Sequence, residues 1–275
     1  MAVTYQRLKD ELVVPYIKYW IVFIVLILAL IIRIYRVENI NVNNITLDIP
    51  NAEYVGNGVV INNFYLLTSK SLIENSCWGR SHFKQGSFYA IDSKFMYPIV
   101  PAYSNDNMDI IAMRIKTIGS MFDNYAVFDM EDVKYNMNRR VVLPKQRNRV
   151  SSFDFRQARI VADIEREFLV ASRSVLNEQF AVGMPVFHRN YVLQGIIKER
   201  VNTFKELSMR DKMLNFLGNQ KIFYASKSRD IKNFLMLNDI EFFETDTSAS
   251  VLDNITTDVT KSVLNIICVN NGLRK

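Results

Sequence analysis

The chain has 275 residues, of which 49% are hydrophobic and 23% charged, a balance that excludes general disorder and indicates a folded protein. Half of its formal net charge of +6 lies in residues 1–36, so the remainder is close to neutral and gives no support for nucleic-acid binding. The two histidines and two cysteines show no metal-ligand spacing, and we therefore expect neither a metal site nor a cofactor.

The clearest physical signal is an apolar run near the N-terminus. Residues 19–32 are all apolar or aromatic, and the run extends back to Val13 with few interruptions. Because a helix of roughly 18–20 such residues crosses the hydrocarbon layer of a membrane, we predict a transmembrane anchor over residues 16–36 behind a short cytoplasmic tail, residues 1–15. Residues 29–33 offer no small-residue cleavage site, which argues against a cleaved signal peptide. Basic residues flank both ends and do not decide the orientation.

The rest of the chain is predicted to be mostly β. Alternating apolar runs at residues 55–67, 110–115, 159–171 and 191–198 are typical of strands. We expect them to form one folded domain over residues 37–245, a length that suits a two-barrel domain.

Three segments in this region carry a family resemblance through their order and spacing. They are VGNGVVINNFYLLTSKSLI at residues 55–73, NMDIIAMRI at residues 107–115, and FAVGMPVF at residues 180–187. Together they resemble the histidine, aspartate and serine motifs of bacterial trypsin-like serine peptidases, including the HtrA type. The resemblance implies a double β-barrel of the chymotrypsin fold. An unrelated β-domain is the alternative.

On this resemblance the catalytic residues are largely replaced. Ser71 occupies the place of the general-base histidine, Asp109 matches the triad aspartate, and Val182 stands where the nucleophilic serine belongs. The oxyanion turn corresponds to four residues, Phe180, Ala181, Val182 and Gly183. A valine cannot be deprotonated and a serine hydroxyl is a poor base, so the resemblance implies a pseudoprotease in which Asp109 persists as a structural acceptor.

The histidines are not placed to rescue the chemistry, because His82 and His188 both fall in predicted surface turns or loops. The cysteines, Cys77 and Cys268, would pair only if the fold brings them close. The resemblance to bacterial extracytoplasmic peptidases implies that the folded domain lies outside the cytoplasm, in the periplasm.

Two further segments have alternative interpretations. Seven basic residues cluster in the stretch predicted to join the barrels, namely Arg139, Arg140, Lys145, Arg147, Arg149, Arg156 and Arg159. They form either a solvated connector or a contact for an acidic partner or anionic lipid headgroups. Residues 204–218 show a helical apolar face and predict either an ordinary surface helix or one that reshapes the substrate cleft.

The C-terminal part begins with a predicted strand and helix over residues 221–235, which resemble the closing segment of the family. A polar linker follows at residues 245–250. Residues 246–275 are then predicted as an extension, a helix from residue 251 that ends in an apolar strand at residues 263–269.

The predicted function is a membrane-anchored, catalytically inactive peptidase-domain protein that acts as a protein-binding or scaffold module, with a protein or peptide partner. Its oligomeric state stays open. One alternative is an active serine endopeptidase with a non-standard site, with Ser71, Ser172 or Ser174 as nucleophile. The other is a structural subunit of an envelope complex, held by the transmembrane helix itself.

Overall fold

The structure is a computed structural model, and it describes residues 19–28, 52–76, 86–92, 95–116, 122, 124–131, 133–146, 153–172, 181–201, 207–216, 220–246 and 259–270. The chain divides into two compact units, Met1–Asn44 and Ile45–Lys275. In the first unit, residues 19–28 form a helix, α1, whose apolar side chains are all exposed. Among the described residues, no helix combines the length and apolar character that crossing a membrane requires.

Six strands of the second unit form a first barrel. They are β1 (Ala52–Val60), β2 (Tyr65–Ser69), β3 (Gly86–Ile91), β4 (Met96–Asn105), β5 (Ile110–Ile115) and β14 (Val263–Asn270). The barrel is closed and antiparallel in the order β1-β14-β3-β4-β5-β2. Closure leaves no strand of this barrel with an unpaired long edge.

Strand β14 changes the domain boundary predicted at residue 245. It pairs with β1 on one side, Asn265 opposite Asn57, and with β3 on the other, Ile267 opposite Tyr89. Its apolar side chains are fully buried up to Cys268. The strand predicted within a terminal extension is therefore an integral part of the first barrel, because without it β1 and β3 would both be open edges.

Six strands later in the chain form a second closed barrel. They are β7 (Arg140–Gln146), β8 (Phe153–Asp163), β9 (Glu167–Ser172), β10 (Pro185–His188), β11 (Leu193–Arg200) and β12 (Lys221–Lys227), in the order β10-β11-β12-β9-β8-β7. A short parallel pair, β6 (Val127–Asp129) with β13 (Phe243–Thr245), lies outside both barrels. The mostly β, two-barrel architecture predicted from the sequence is confirmed.

The two barrels share one apolar core. Val59, Leu67 and Ile110 of the first barrel belong to the same buried cluster as Phe187 and Leu193 of the second. The Ser226 hydroxyl also donates a hydrogen bond across to the Met108 carbonyl, at 2.7 Å. The relative position of the two barrels is thus set by buried packing rather than by a linker.

Three helices of the second unit are α2 (Lys70–Glu74), α3 (Met209–Phe216) and α4 (Ser228–Leu237). Helix α3 is the described part of the helix predicted at residues 204–218. Helix α4 buries Ile231, Phe234 and Leu235 against the shared core, since residues three and four apart lie on one helical face. Of the 251–269 segment, residues 259–262 form a 3-10 turn directly before β14.

Three arginines of the basic cluster lie in strands of the second barrel and not in a connector between the barrels. Arg140 begins β7, and Arg156 and Arg159 lie in β8, so these arginines belong to the first hairpin of the second barrel. Strand positions that face solvent accept long charged side chains, which is why a charged segment could form a strand here. Arg147 and Arg149 lie outside the described residues.

Candidate functional site

The junction of β2 and α2 brings Ser71 next to Asp109. Strand β2 ends at Ser69, helix α2 starts at Lys70, and the Lys70 backbone N–H donates to the Asp109 carbonyl at 3.0 Å. Asp109 closes the turn before β5 with a φ of 51°, in the left-handed region that aspartate tolerates better than most residues. This conformation aims its carboxylate back at the start of α2.

The Asp109 carboxylate accepts three hydrogen bonds from this junction. The Ser71 backbone N–H donates to Oδ1 at 2.7 Å, and the Ser71 hydroxyl donates to Oδ2 at 2.9 Å. The Ser69 hydroxyl also donates to Oδ2, and the two hydroxyl oxygens lie 2.8 Å apart. Two of the three sequence-predicted triad positions therefore meet in space, at hydrogen-bonding distance.

Ser69 is a member of this group that the sequence reasoning missed. It is fully buried at the end of β2, whereas Ser71 and Asp109 are half-buried. No alternation in β2 distinguishes Ser69, because the strand is buried from Leu66 to Ser69.

The chemistry open to this trio is that of hydrogen bonding. A serine hydroxyl has a pKa far above neutrality, so Ser71 cannot take up a proton from a nucleophile as an imidazole does. Among the described residues, no histidine contacts Asp109 or Ser71. The carboxylate instead ties the first turn of α2 to the start of β5.

The turn that carries Val182 contacts the same end of β2. Gly183 has a φ of +80°, and a Cβ there would lie 2.5 Å from the Asn57 carbonyl oxygen and closer still to Thr68 Oγ1. Thr68 itself donates to the Asn57 carbonyl at 2.6 Å. Only a residue without a side chain allows this approach. The turn of the second barrel therefore lies against the strand end that leads to Ser71.

The predicted oxyanion turn is described only in part. Ala181 is fully buried, Val182 is half-buried, and the Gly183 N–H donates to the Ile197 carbonyl at 2.8 Å. Phe180 lies outside the described residues. Because the Val182 side chain is a hydrocarbon, the turn presents no attacking oxygen at the position that the family motif assigns to it.

Of the histidines and the remaining alternative serines considered from the sequence, the structure describes His188 and Ser172. His188 is the last residue of β10 and half-buried, rather than a solvated turn residue. Burial, with the charge of Arg139 second, lowers the pKa of His188 despite the opposing field of Asp129. Ser172 is fully buried in β9. His82 and Ser174 lie outside the described residues.

Cys268 is disulfide-bonded, within β14. Cys77 is the only other cysteine in the sequence and lies outside the described residues.

Among the described strands, only β12 pairs with the far end of β11. Glu199 and Arg200 lie opposite Tyr224 and Phe223 of β12. On the other side, β10 begins at Pro185, opposite Ile196, so no described strand covers residues 198 and 199 there. Lys198 forms an ion pair with Glu167, and Glu199 is exposed.

Helix α3 is held to the second barrel by a polar cluster around Asp211. The Ser208 hydroxyl donates to Asp211 Oδ2 at 2.7 Å and accepts from the Asp211 N–H at 3.2 Å, which caps the helix. Arg159 of β8 and the Gln220 amide donate to Oδ1. Burial alone would raise the pKa of Asp211, but the donors Ser208, Gln220 and Arg159 outweigh it and lower that pKa.

No protein-family model matches the sequence, and no curated protein matches it. Among solved structures, the apo MamO protease domain from Magnetospirillum magneticum aligns with a TM-score of 0.45 and 14% identity, over 67% of this chain and 89% of that one. The active form of the Rv3671c protease from M. tuberculosis aligns with a TM-score of 0.46 and 14% identity, over 66% of this chain and 72% of that one. An inactive form of Rv3671c gives a TM-score of 0.42 and 15% identity, over 68% and 86%.

The fold assignment rests on the chain's own topology. Two closed six-stranded antiparallel barrels pack against each other, and the segments resembling the aspartate and serine motifs meet the end of β2. The described residues therefore have the trypsin-like serine peptidase fold.

Proposed function

We propose that this chain is a membrane-anchored peptidase-domain protein without peptidase activity, which binds an extended polypeptide of a partner protein. The observation that carries the proposal is the contact of Ser71 with Asp109, where a working triad would place an imidazole. Val182 removes the nucleophile from the facing turn. A two-barrel fold that lacks the imidazole and the nucleophilic hydroxyl can still bind a polypeptide, but it has no groups to hydrolyse one.

The far end of β11 is the proposed binding edge, defined as residues 198 and 199. An added strand there would gain main-chain hydrogen bonds, which provide affinity with little dependence on sequence. Glu199 is exposed on this edge, so it can contact a bound strand without first breaking an ion pair of the described residues.

The anchor is proposed over residues 16–36. Support comes from the unbroken apolar run of residues 19–32 and from α1, in which all side chains from Tyr19 to Leu28 are exposed. The disulfide of Cys268 favours a folded domain outside the cytoplasm, because such bonds persist in oxidising compartments. We propose the periplasm of a bacterium as that compartment.

Site-specific photo-crosslinking in native membranes tests the binding edge. A photoreactive amino acid replaces Glu199 in the full chain, and the matched control replaces Arg166, which is exposed at the hairpin between β8 and β9. We expect an adduct with one recurring polypeptide segment from position 199 only. Adducts that are absent from position 199, or equal at both positions, would reject the binding edge.

A fluorophosphonate probe separates this proposal from an active endopeptidase. We expect no labelling of the full chain, because among the described residues no imidazole contacts Ser71, and Ser172 is fully buried. Labelling that is lost in Ser71→Ala or Ser172→Ala would establish a nucleophile and overturn the inactive assignment.

The exposed apolar face of α1 also suits a structural subunit that assembles through its helix. Exchanging residues 16–36 for an unrelated transmembrane helix discriminates the two functions. The crosslink from position 199 survives this exchange if the barrel domain binds the partner, and it is lost if the helix does.

A further inference from the structure

We propose that a second surface of the domain, formed by Arg139, Arg140 and Arg189 together with Met137, contacts anionic lipid headgroups. We call these four residues the arginine edge. They lie on β7, on the turn before it and on the turn after β10, apart from the binding edge of β11. The proposal uses the proposed anchor only to bring the domain near a bilayer.

Strand register brings the arginines together. Arg140 lies directly opposite Arg159 in the β7–β8 pair, and Val141 lies opposite His188 in the β7–β10 pair. Arg189 follows His188 into the turn, so it comes next to the start of β7. Arg140 and Arg189 are exposed, and Arg139 is half-buried.

The charges of these arginines are not compensated within the fold. Arg159 pairs with Asp211, but among the described residues no salt bridge involves Arg139, Arg140 or Arg189. The Arg139 guanidinium donates only to a neutral group, the Lys134 carbonyl, at 2.7 Å. Arg140 lies opposite Arg159, whose charge is already paired with Asp211, so this neighbour supplies no anion for Arg140. An anion outside the protein would supply the missing counter-charge.

The field of these arginines reaches a neighbouring group. Arg139 and Arg189 both act to lower the pKa of His188, after the larger effect of its burial, while Asp129 acts against them. Two of the three proposed contact residues therefore lie close enough to His188 to act on one charge. An anion at this position would meet them jointly.

Met137 favours a membrane over an acidic polypeptide as the occupant. It sits at the turn before β7, in which the Arg139 N–H donates to the Asn136 carbonyl at 3.1 Å. Its side chain is 62% exposed, and it precedes Arg139 and Arg140 by two and three residues in the chain. At a bilayer surface such a side chain enters the headgroup boundary while the arginines meet phosphates. A soluble acidic chain would offer it no comparable environment.

Hydrogen–deuterium exchange on the full chain tests the arginine edge. The protein is placed in nanodiscs of phosphatidylcholine alone or mixed with phosphatidylglycerol, and exchange is followed at residues 136–140 and 188–190. We expect several-fold slower exchange in the anionic discs, and loss of this difference at high salt, which screens exposed charges.

Paired charge reversals give the control. Arg140→Glu combined with Arg189→Glu should abolish the difference between the two lipids. Arg114→Glu combined with Arg166→Glu, which changes two exposed arginines of other strands and turns to the same extent, should retain it.

Equal exchange of the unmodified protein in both lipids would overturn the proposal without any variant. Protection by poly-glutamate in phosphatidylcholine discs that matches the anionic lipid effect would also overturn it, and would assign the edge to an acidic polypeptide. Neither result touches the binding edge, whose crosslink from position 199 should be unchanged by the Arg140 and Arg189 reversals.

Discussion

At position 71 a hydroxyl and a backbone N–H donate to the Asp109 carboxylate, as an imidazole N–H does in a working triad. The carboxylate therefore has hydrogen-bond donors without an imidazole among the described residues. Ser69 adds a third donor from the buried end of β2. Since a half-buried carboxylate that loses its donors is costly, the trio has a reason to persist that does not depend on catalysis.

We expect Asp109→Ala to lower the free energy of unfolding by about 2 kcal/mol, because three donors lose a charged acceptor. Urea denaturation of the full chain in detergent measures it. Asp106→Ala is the matched control, since it removes an exposed carboxylate of the same turn that pairs with Lys70, and exposed pairs contribute little. Equal losses in the two variants would show that the trio does not stabilise the fold.

Gly183 is the second residue whose identity is fixed by geometry. Gly183→Ala should destabilise the protein by about 1–3 kcal/mol, because it adds a clash with Asn57 and Thr68 to the strain of a left-handed φ. Asp239→Ala tests the strain alone, since Asp239 is exposed and has a φ of 53°. A thermal midpoint lowered as much by Asp239→Ala would mean that the contact between the barrels adds nothing.

The sequence predicted the triad positions because each lies in a motif with a fixed order of residue types. Ser71 and Asp109 indeed meet. Ser69 escaped prediction, since no family motif asks for a donor there and its role depends on the position of Asp109 40 residues later. Residue types predicted that positions 71 and 109 would lie together, but only the coordinates show which groups donate to Asp109.

Among the elements, α3 shows how a short helix is fixed by one buried carboxylate. Asp211 caps the helix with Ser208 and accepts from Arg159 of β8. A helix of this length has little intrinsic stability. Its position therefore depends on a cluster that works only while Asp211 is ionised.

Acid should release α3 from β8. The folded pKa of Asp211 is lowered from its usual 3.8, so its contribution to stability is present above that value and is lost as pH falls through the folded pKa. At about pH 6 we expect Asp211→Asn to be less stable than the unmodified protein, with the gap narrowing toward about pH 3. Urea unfolding across this range measures it.

The control for this pH dependence is Glu131→Gln, which changes an exposed carboxyl outside the cluster. Its stability difference from the unmodified protein should stay constant over the same range. A gap for Asp211→Asn that does not narrow in acid would contradict the ionised cluster.

Strands are missed in the sequence where charged residues interrupt the apolar pattern. Arg140 and Arg156 obscure the alternation of β7 and of the first part of β8, so this segment is interpreted from the sequence as a connector, whereas the strand prediction begins only at Arg159. In the barrel, these strands bury Val141, Leu143 and other apolar residues between the charged ones. Position within a sheet, and not local composition, decides such cases.

For the molecule as a whole, the decisive feature is the closure of the first barrel by β14. Sequence reasoning recognised the apolar strand at residues 263–269 but could not place it, because its partners β1 and β3 are far away in the chain. Pairing across that distance leaves no local trace. The barrel domain therefore extends through Asn270.

Removing residues 263–275 should prevent the first barrel from forming, since β1 and β3 would lose their shared partner. We expect loss of protease resistance and of the cooperative unfolding transition. Removing only residues 271–275, which follow β14, is the matched control and should leave both unchanged. A cooperative transition retained without residues 263–275 would show that β14 is dispensable.

The position of β14 also sets the order in which the protein can mature. Every strand of the second barrel precedes β14 in the chain. During synthesis, all strands of the second barrel are therefore available before β14 can close the first barrel. Strands β1 and β3 lack their shared partner until that segment has left the ribosome. An incomplete barrel with unpaired strand edges is prone to aggregation during this interval.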